Sequence, residues 1–335
     1  MRVTTNAILR NYKSNLSASM TNLDTARTRV MTGRKFSSAA EDPASALRAA
    51  LLERKYVRNN DYISTVEDVL SRQDAQEDAA YQISVEAMEM SKKYGFEALN
   101  ATNQDAQTRQ AYAAAWRGAQ QNMLKSLNAT YGDQYLFAGA DANNQPFELI
   151  TGKDGKQILT YRGIDVSSGD QTILEQMAQE SVYVDIGFGL DDGGGSVSDS
   201  NAFDTALSGL KLSGYGVDEQ GNPKNMILLA GQIADALEEE PFDAEKYKTL
   251  LGGFDSGREA LSTQITDLGT KTQFLETTKD RLEDNKINLT TELDRLVNVD
   301  YADAISDFSW AQYAYNAALK VGTNILSPSF IDFMS

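Results

Sequence analysis

From Phe254 to Leu296 an apolar residue stands at every seventh position: Phe254, Leu261, Leu268, Leu275, Leu282, Leu289 and Leu296. A helix with this repeat keeps one apolar seam on one side along its whole length. As helix, these 43 residues reach about 65 Å, longer than an ordinary globular helix. The second seam position is mixed: Arg258, Ile265, Thr272, Lys279, Lys286 and Leu293. The stretch therefore predicts a rod packed on a narrow stripe. After Asn298-Val299-Asp300 a new register begins at Tyr301, Ile305, Phe308, Gln312, Tyr315, Leu319, Gly322 and Leu326. The five-residue step from Leu296 to Tyr301 rotates the seam and predicts a joint between two rod segments. The N-terminus offers a partner. Leu9, Leu16, Leu23 and Val30 are seven apart, with Tyr12, Ser19 and Ala26 between them.

The chain has 335 residues, enough for two or three domains. It contains no Cys and no His. That excludes Ser–His or Cys–His nucleophile pairs and zinc sites built on those ligands. Oxygen-ligand sites and carboxylate pairs survive the filter. A net charge of −17 argues against nucleic-acid binding. No apolar run approaches bilayer-spanning length, and Met1 to Asn6 lacks the apolar core of a cleavable signal peptide. Charge is uneven along the chain. Residues 1–60 hold eleven Lys or Arg against four Asp or Glu, and residues 281–335 hold four against eight. A basic N-terminal arm and an acidic C-terminal arm suit helices that lie together.

Residues 1–32 read as one helix stopped at Gly33. Asp42-Pro43 is a strong helix start, because Asp caps free amides and Pro fits the first turn. The pattern then runs towards Leu99, with an interruption at Gly95 and a turn at Asn100-Ala101-Thr102-Asn103. A further helix covers about 105–130. Tyr135 to Gly139, Phe147 to Ile150, Ile158 to Tyr161 and Val182 to Ile186 read as short strands, with a hairpin turn at Gly152 to Lys156. Asp191-Asp192-Gly193-Gly194-Gly195-Ser196 is a loop without EF-hand spacing. Pro223 opens a helix to about Glu239, and a break is expected at Gly252-Gly253. The fold class is mainly α with a small β-rich insert, its long terminal helices paired as coiled-coil rods. The expected domains are 1–41 with 300–335 (a terminal coiled coil), 42–132 with 223–299 (a helical rod) and 133–222 (the β-rich insert). Such a shape exposes seams that one copy cannot cover, which points to assembly.

Several motifs resemble the flagellin superfamily: Asp42-Pro43 after a small-residue loop, Ala98 to Thr102, and Asp300-Tyr301-Ala302-Asp303-Ala304-Ile305. The chain is more narrowly similar to the hook–filament junction family. Tyr131 to Ala140 with Pro146-Phe147 and Tyr161-Arg162-Gly163 looks like that family's approach to its β domain. The tail Ser329-Phe330-Ile331-Asp332-Phe333 is similar to its ending. Flagellins usually have Asp-Asp-Ala-Ala-Gly where this chain has Asp-Pro. The resemblance implies a structural protein of the bacterial flagellum without catalysis or cofactor, exported through the flagellar channel. It implies terminal arms that order on assembly. The implied partners are the first hook–filament junction protein, flagellin, other copies of itself in a helical layer, and an export chaperone on the C-terminal arm. Assembly contacts are expected at Leu9, Leu16, Leu23, Val30, Tyr301, Ile305, Phe308, Tyr315, Leu319, Leu326, Phe330, Ile331 and Phe333. The alternative is flagellin, the filament subunit itself. A glycosidase carried on the insert, starting from Asp191-Asp192, is the reading from another class. Adjacent carboxylates in a Gly-rich loop fit solvated turn residues better.

Overall fold

A computed structural model of the chain describes residues 2–100, 105–152, 156–189, 197 and 202–331, with side-chain environments given between residues 6 and 323. Contacts divide the chain into two compact units, residues 1–61 with 283–335, and residues 62–282. The division falls within two long helices rather than at the loops 33–42 and 298–300, where turn chemistry suggests a boundary.

In the first unit, α1 (Arg2–Thr32) ends at Gly33, whose φ of +69° closes the turn. α2 (Pro43–Glu89) starts as expected, with the Ser45 amide donating to Asp42 Oδ1 at 3.0 Å. α7 (Ala244–Val297) is followed, after three residues, by α8 (Tyr301–Ile331). The register change at 298–300 is thus a full helix stop. Asn298 pairs with Arg34 across a β-bridge, and the Lys35 amide donates to Val297 O at 2.8 Å. The Val299 amide donates to Gly33 O at 2.9 Å.

The second unit holds the main core. α3 (Ala106–Leu127) is capped by Asp105, which accepts from Thr108 N at 3.0 Å. The Thr108 side chain, together with this amide, holds the Asp105 carboxyl below its usual value of 3.8. A depressed carboxylate stabilises the fold above its unfolded pKa and loses that contribution as pH falls through the folded value. Wild-type urea midpoints should therefore drop below about pH 4, and Asp105→Asn, a competent neutral cap, should flatten part of that drop. A midpoint difference independent of pH would contradict this.

α3 packs on α6 (Met226–Glu238), and Trp116 is fully buried with its ring edge-on to Phe254 at 4.9 Å. Burial pushes the Tyr247 phenol well above its ordinary pKa while its hydroxyl donates to Gly95 O at 3.0 Å. Phe254, Leu261, Leu268, Leu275 and Leu282 are all buried, as the seven-residue repeat requires. Their partners are not on α1. The first three belong to a core shared with Ala79, Ala80, Ile83 and Trp116, and the last two to a cluster with Val66, Ile186 and Phe203.

The β-rich region is smaller than the sequence suggests. β1 (Thr130–Tyr131) pairs with β2 (Gln134–Tyr135), antiparallel. β3 (Phe147–Thr151), β4 (Gln157–Tyr161) and β5 (Ile164–Asp165) form an antiparallel sheet in that order, and β6 (Tyr183–Val184) pairs with β7 (Phe203–Asp204). The Asn128 amide side chain donates to Phe147 O and accepts from Phe147 N, tying the end of α3 to β3.

Three local expectations change. Residues 136–139 are not strand; only Ala138 makes a bridge, to Ser208. Two short helices, α4 (Gln171–Ala178) and α5 (Gly209–Ser213), lie in stretches for which no element was expected. α6 begins after Asn225, whose side chain accepts from Ile227 N and donates to Ser213 Oγ and Gly214 O. Pro223 lies in the preceding turn, bridged to Val217. Asn225 is fully buried. Asn225→Ala should cost about 2 kcal/mol or more in chemical unfolding, because it removes a cap and leaves buried groups unpaired. α7 runs unbroken through Gly252-Gly253. Leu250, Leu251 and Phe254 are buried on either side, and that packing outweighs the roughly 1 kcal/mol helix penalty of each glycine. At Gly95 the expected interruption is a π-helical turn, Met90–Gly95, followed by a single 3₁₀ turn, Glu97–Leu99.

Candidate assembly interface

Helices α1 and α8 pack together along their length. On α1 the inward line is Leu9, Tyr12, Leu16, Ser19, Leu23, Ala26 and Val30, alternating three and four apart, with Ala26 buried and the rest half-buried. This is the seam read from the sequence. On α8 the inward line is Ala304, Phe308, Ala311, Tyr315, Ala318 and Gly322. Phe308 and Tyr315 are where the sequence places them. Tyr301, Ile305 and Leu319 are exposed instead. The seam uses the preceding alanines because large residues already fill it from α1 and from Phe308 and Tyr315. Close helix approach then demands small residues between them. The signal was present, since Ala304, Ala311 and Ala318 are themselves seven apart.

Two glycines mark the closest approaches. A methyl group at Gly322 would collide with the Tyr12 hydroxyl and ring. The Tyr12 hydroxyl donates to Ala318 O at 3.2 Å, fixing the ring across α8. At Gly33 an added methyl would stand 2.6 Å from the Tyr301 hydroxyl, so Tyr301 covers the turn between α1 and α2 despite its exposure.

The pair is thinly buried. Among the described apolar residues of this unit only Ala26, Leu52 and Ala304 are buried. Trp310 and Tyr313 of α8 are 71% and 70% exposed, their rings edge-on at 6.4 Å. Ile8, Met20, Met31, Leu47, Leu51, Val57, Ile287 and Val321 are exposed as well. The side chains of Leu326, Phe330 and Ile331, and all of Phe333, lie outside the described residues. So do Ala101 to Asn103 of the expected turn, the tip of the expected hairpin turn at Lys153 to Gly155, and the Asp191-Asp192 pair. Among the described residues no group of three or more Asp or Glu could hold a metal ion. No described helix is long and apolar enough to cross a membrane.

A mainly helical chain with paired terminal helices and a small β-rich region resembles proteins of flagellin type. Residues 3–142 match the bacterial flagellin N-terminal helical region. Over nearly its whole length the chain is similar to flagellar hook-associated protein 3. It is 23% identical to the protein of Salmonella typhimurium (strain LT2) across 331 residues, 97% of each chain. It is 22% identical to that of Escherichia coli K12 across 305 residues, covering 88% of this chain and 87% of the relative. Solved structures share the fold. A Vibrio parahaemolyticus protein assigned to the hook-associated proteins superposes with a TM-score of 0.58 at 15% identity, covering 77% of this chain and all of that one. Hook-associated protein 3 of Legionella pneumophila gives 0.52 at 13% identity, covering 74% and 98%. These relatives are hook-associated proteins, not flagellins.

Proposed function

We propose that this chain is the junction adaptor of a bacterial flagellum, connecting the first junction protein on the hook to the flagellin filament. The observation that carries the reading is the terminal pair α1–α8. It is half-buried on its mutual seam, and α8 keeps Ile305, Trp310, Tyr313, Leu319 and Val321 exposed on its other faces, as suits helices completed by neighbouring subunits. Its partners are the first junction protein below, flagellin above and further copies alongside. Helical layers use unlike faces on each subunit, so contacts do not close on themselves. In this reading residues 1–41 with 300–335 form the axial tube, residues 42–132 with 223–299 the rod around it, and residues 133–222 the outer module. Its place is outside the cell, after export through the flagellar channel. Its role is structural, without a catalytic step.

Before export the exposed face of α8, with Ile305 and Leu319, suits a chaperone groove. A chain truncated after Asp300 should lose chaperone co-purification; undiminished recovery would remove that partner.

Electron microscopy of seeded hooks tests the adaptor reading. The purified protein is offered to hook ends carrying the first junction protein, and separately to bare filament fragments. A short layer that stops growing is expected at the hook ends. Long filaments of this protein alone would make it a filament subunit.

A further inference from the structure

The two exposed surfaces of the terminal unit are complementary to each other. On α8, away from α1, Trp310, Tyr313, Ala317 and Val321 form one line at three- and four-residue spacing, all exposed. Asp303 and Asp307 precede Trp310 by seven and three residues and flank this stripe with negative charge. On the other side of the chemistry, α2 and α7 form a groove of about 490 Å³ lined by Arg48, Leu51, Leu52, Lys55, Glu292, Arg295 and Leu296. Leu52 is its buried floor and Leu51, 48% exposed, its edge, while Leu47, one turn before Leu51 on α2, is 65% exposed. Three cations face one carboxylate there.

We infer that in the assembled layer the Trp310–Tyr313 stripe of one copy seats in the Arg48–Leu51–Lys55 groove of a neighbouring copy. Within one copy both surfaces are open, so they do not satisfy each other. Apolar matches apolar, and the acidic flank of α8 matches the basic rim of the groove, which sets orientation as well as attraction. An indole beside Arg48 or Arg295 also gains a cation–π contact. Trp, Tyr and Arg are the residues that dominate interface energetics. The contact joins two different patches, so it propagates from copy to copy and does not close a dimer. The inference rests on the proposed assembly of this chain in a layer, and names the contact that builds it.

The absence of cysteine allows a direct test. Ala317→Cys and Leu47→Cys are made in separate full-length chains, leaving Trp310 and Leu51 in place. The two are mixed, incorporated on seeded hooks and treated with a short bis-maleimide. Asn11→Cys, on an exposed position of α1, replaces Leu47→Cys in the control. The expected result is a 317–47 adduct between chains, roughly tenfold above the 317–11 control, and lost when Trp310→Ala is added. A layer that forms without this adduct overturns the contact and leaves the adaptor reading standing. Failure of the unsubstituted protein to form any layer overturns the adaptor reading, and the contact with it.

Discussion

Gly322→Ala is expected to pry α8 from α1 and to abolish stable incorporation into the junction. The added methyl falls on the Tyr12 hydroxyl and ring. Neither helix can yield cheaply. Tyr12 is half-buried in the seam and its hydroxyl is bonded to Ala318 O, one turn from the glycine. Overpacking of this kind costs about 1–3 kcal/mol in a well-filled site. The terminal unit has little burial from which to absorb that loss. Tyr12→Leu alone should be mild, and combined with Gly322→Ala it should restore packing, because the smaller side chain vacates the space. The measurement is incorporation on seeded hooks, read with circular dichroism of the free proteins. A double variant no better than Gly322→Ala would show that the steric account of this crossing is wrong.

Trp116→Ala should have the largest effect on stability. The indole is fully buried between α3 and α7, edge-on to Phe254, in the core that also holds Met123, Leu229 and Tyr247. Truncating a buried Trp costs about 3–5 kcal/mol, the lost transfer energy plus the cavity left behind. That is a large share of a domain's stability. Trp116→Phe keeps an aromatic edge against Phe254 and should cost less than half as much. Urea unfolding followed by circular dichroism gives both values. A loss below about 1 kcal/mol for the alanine variant would mean the core repacks freely around residue 116.

The repeat along α7 was legible because burial of one stripe leaves a seven-residue signature whatever the partner. Phe254 through Leu282 are buried as that signature demands. The partner was not legible. A seam states that something lies opposite, and α2 and α3 carry matching apolar lines as good as that of α1. The α8 register departs from its sequence pattern because hydrophobic size does not mark this seam. In a close crossing the small residues Ala304, Ala311, Ala318 and Gly322 face inward, and Ile305 and Leu319 remain outside for other contacts. The cap at Asp42 was reliable: it starts α2 through a bond to Ser45 N. Breakers were less so. Gly252-Gly253 stays helical because tertiary packing on both sides outweighs intrinsic propensity. α4 hid in the insert, though Asp170 before Ile173, Leu174 and Met177 carried a cap and a helical spacing.

The most direct measurement is filament growth by order of addition. Hook ends bearing the first junction protein receive either flagellin alone or this protein followed by flagellin, and filament number is counted by electron microscopy. As an adaptor, this protein should be required for flagellin to grow, while ending its own growth after a short layer. Equal numbers of filaments with and without it would contradict the account.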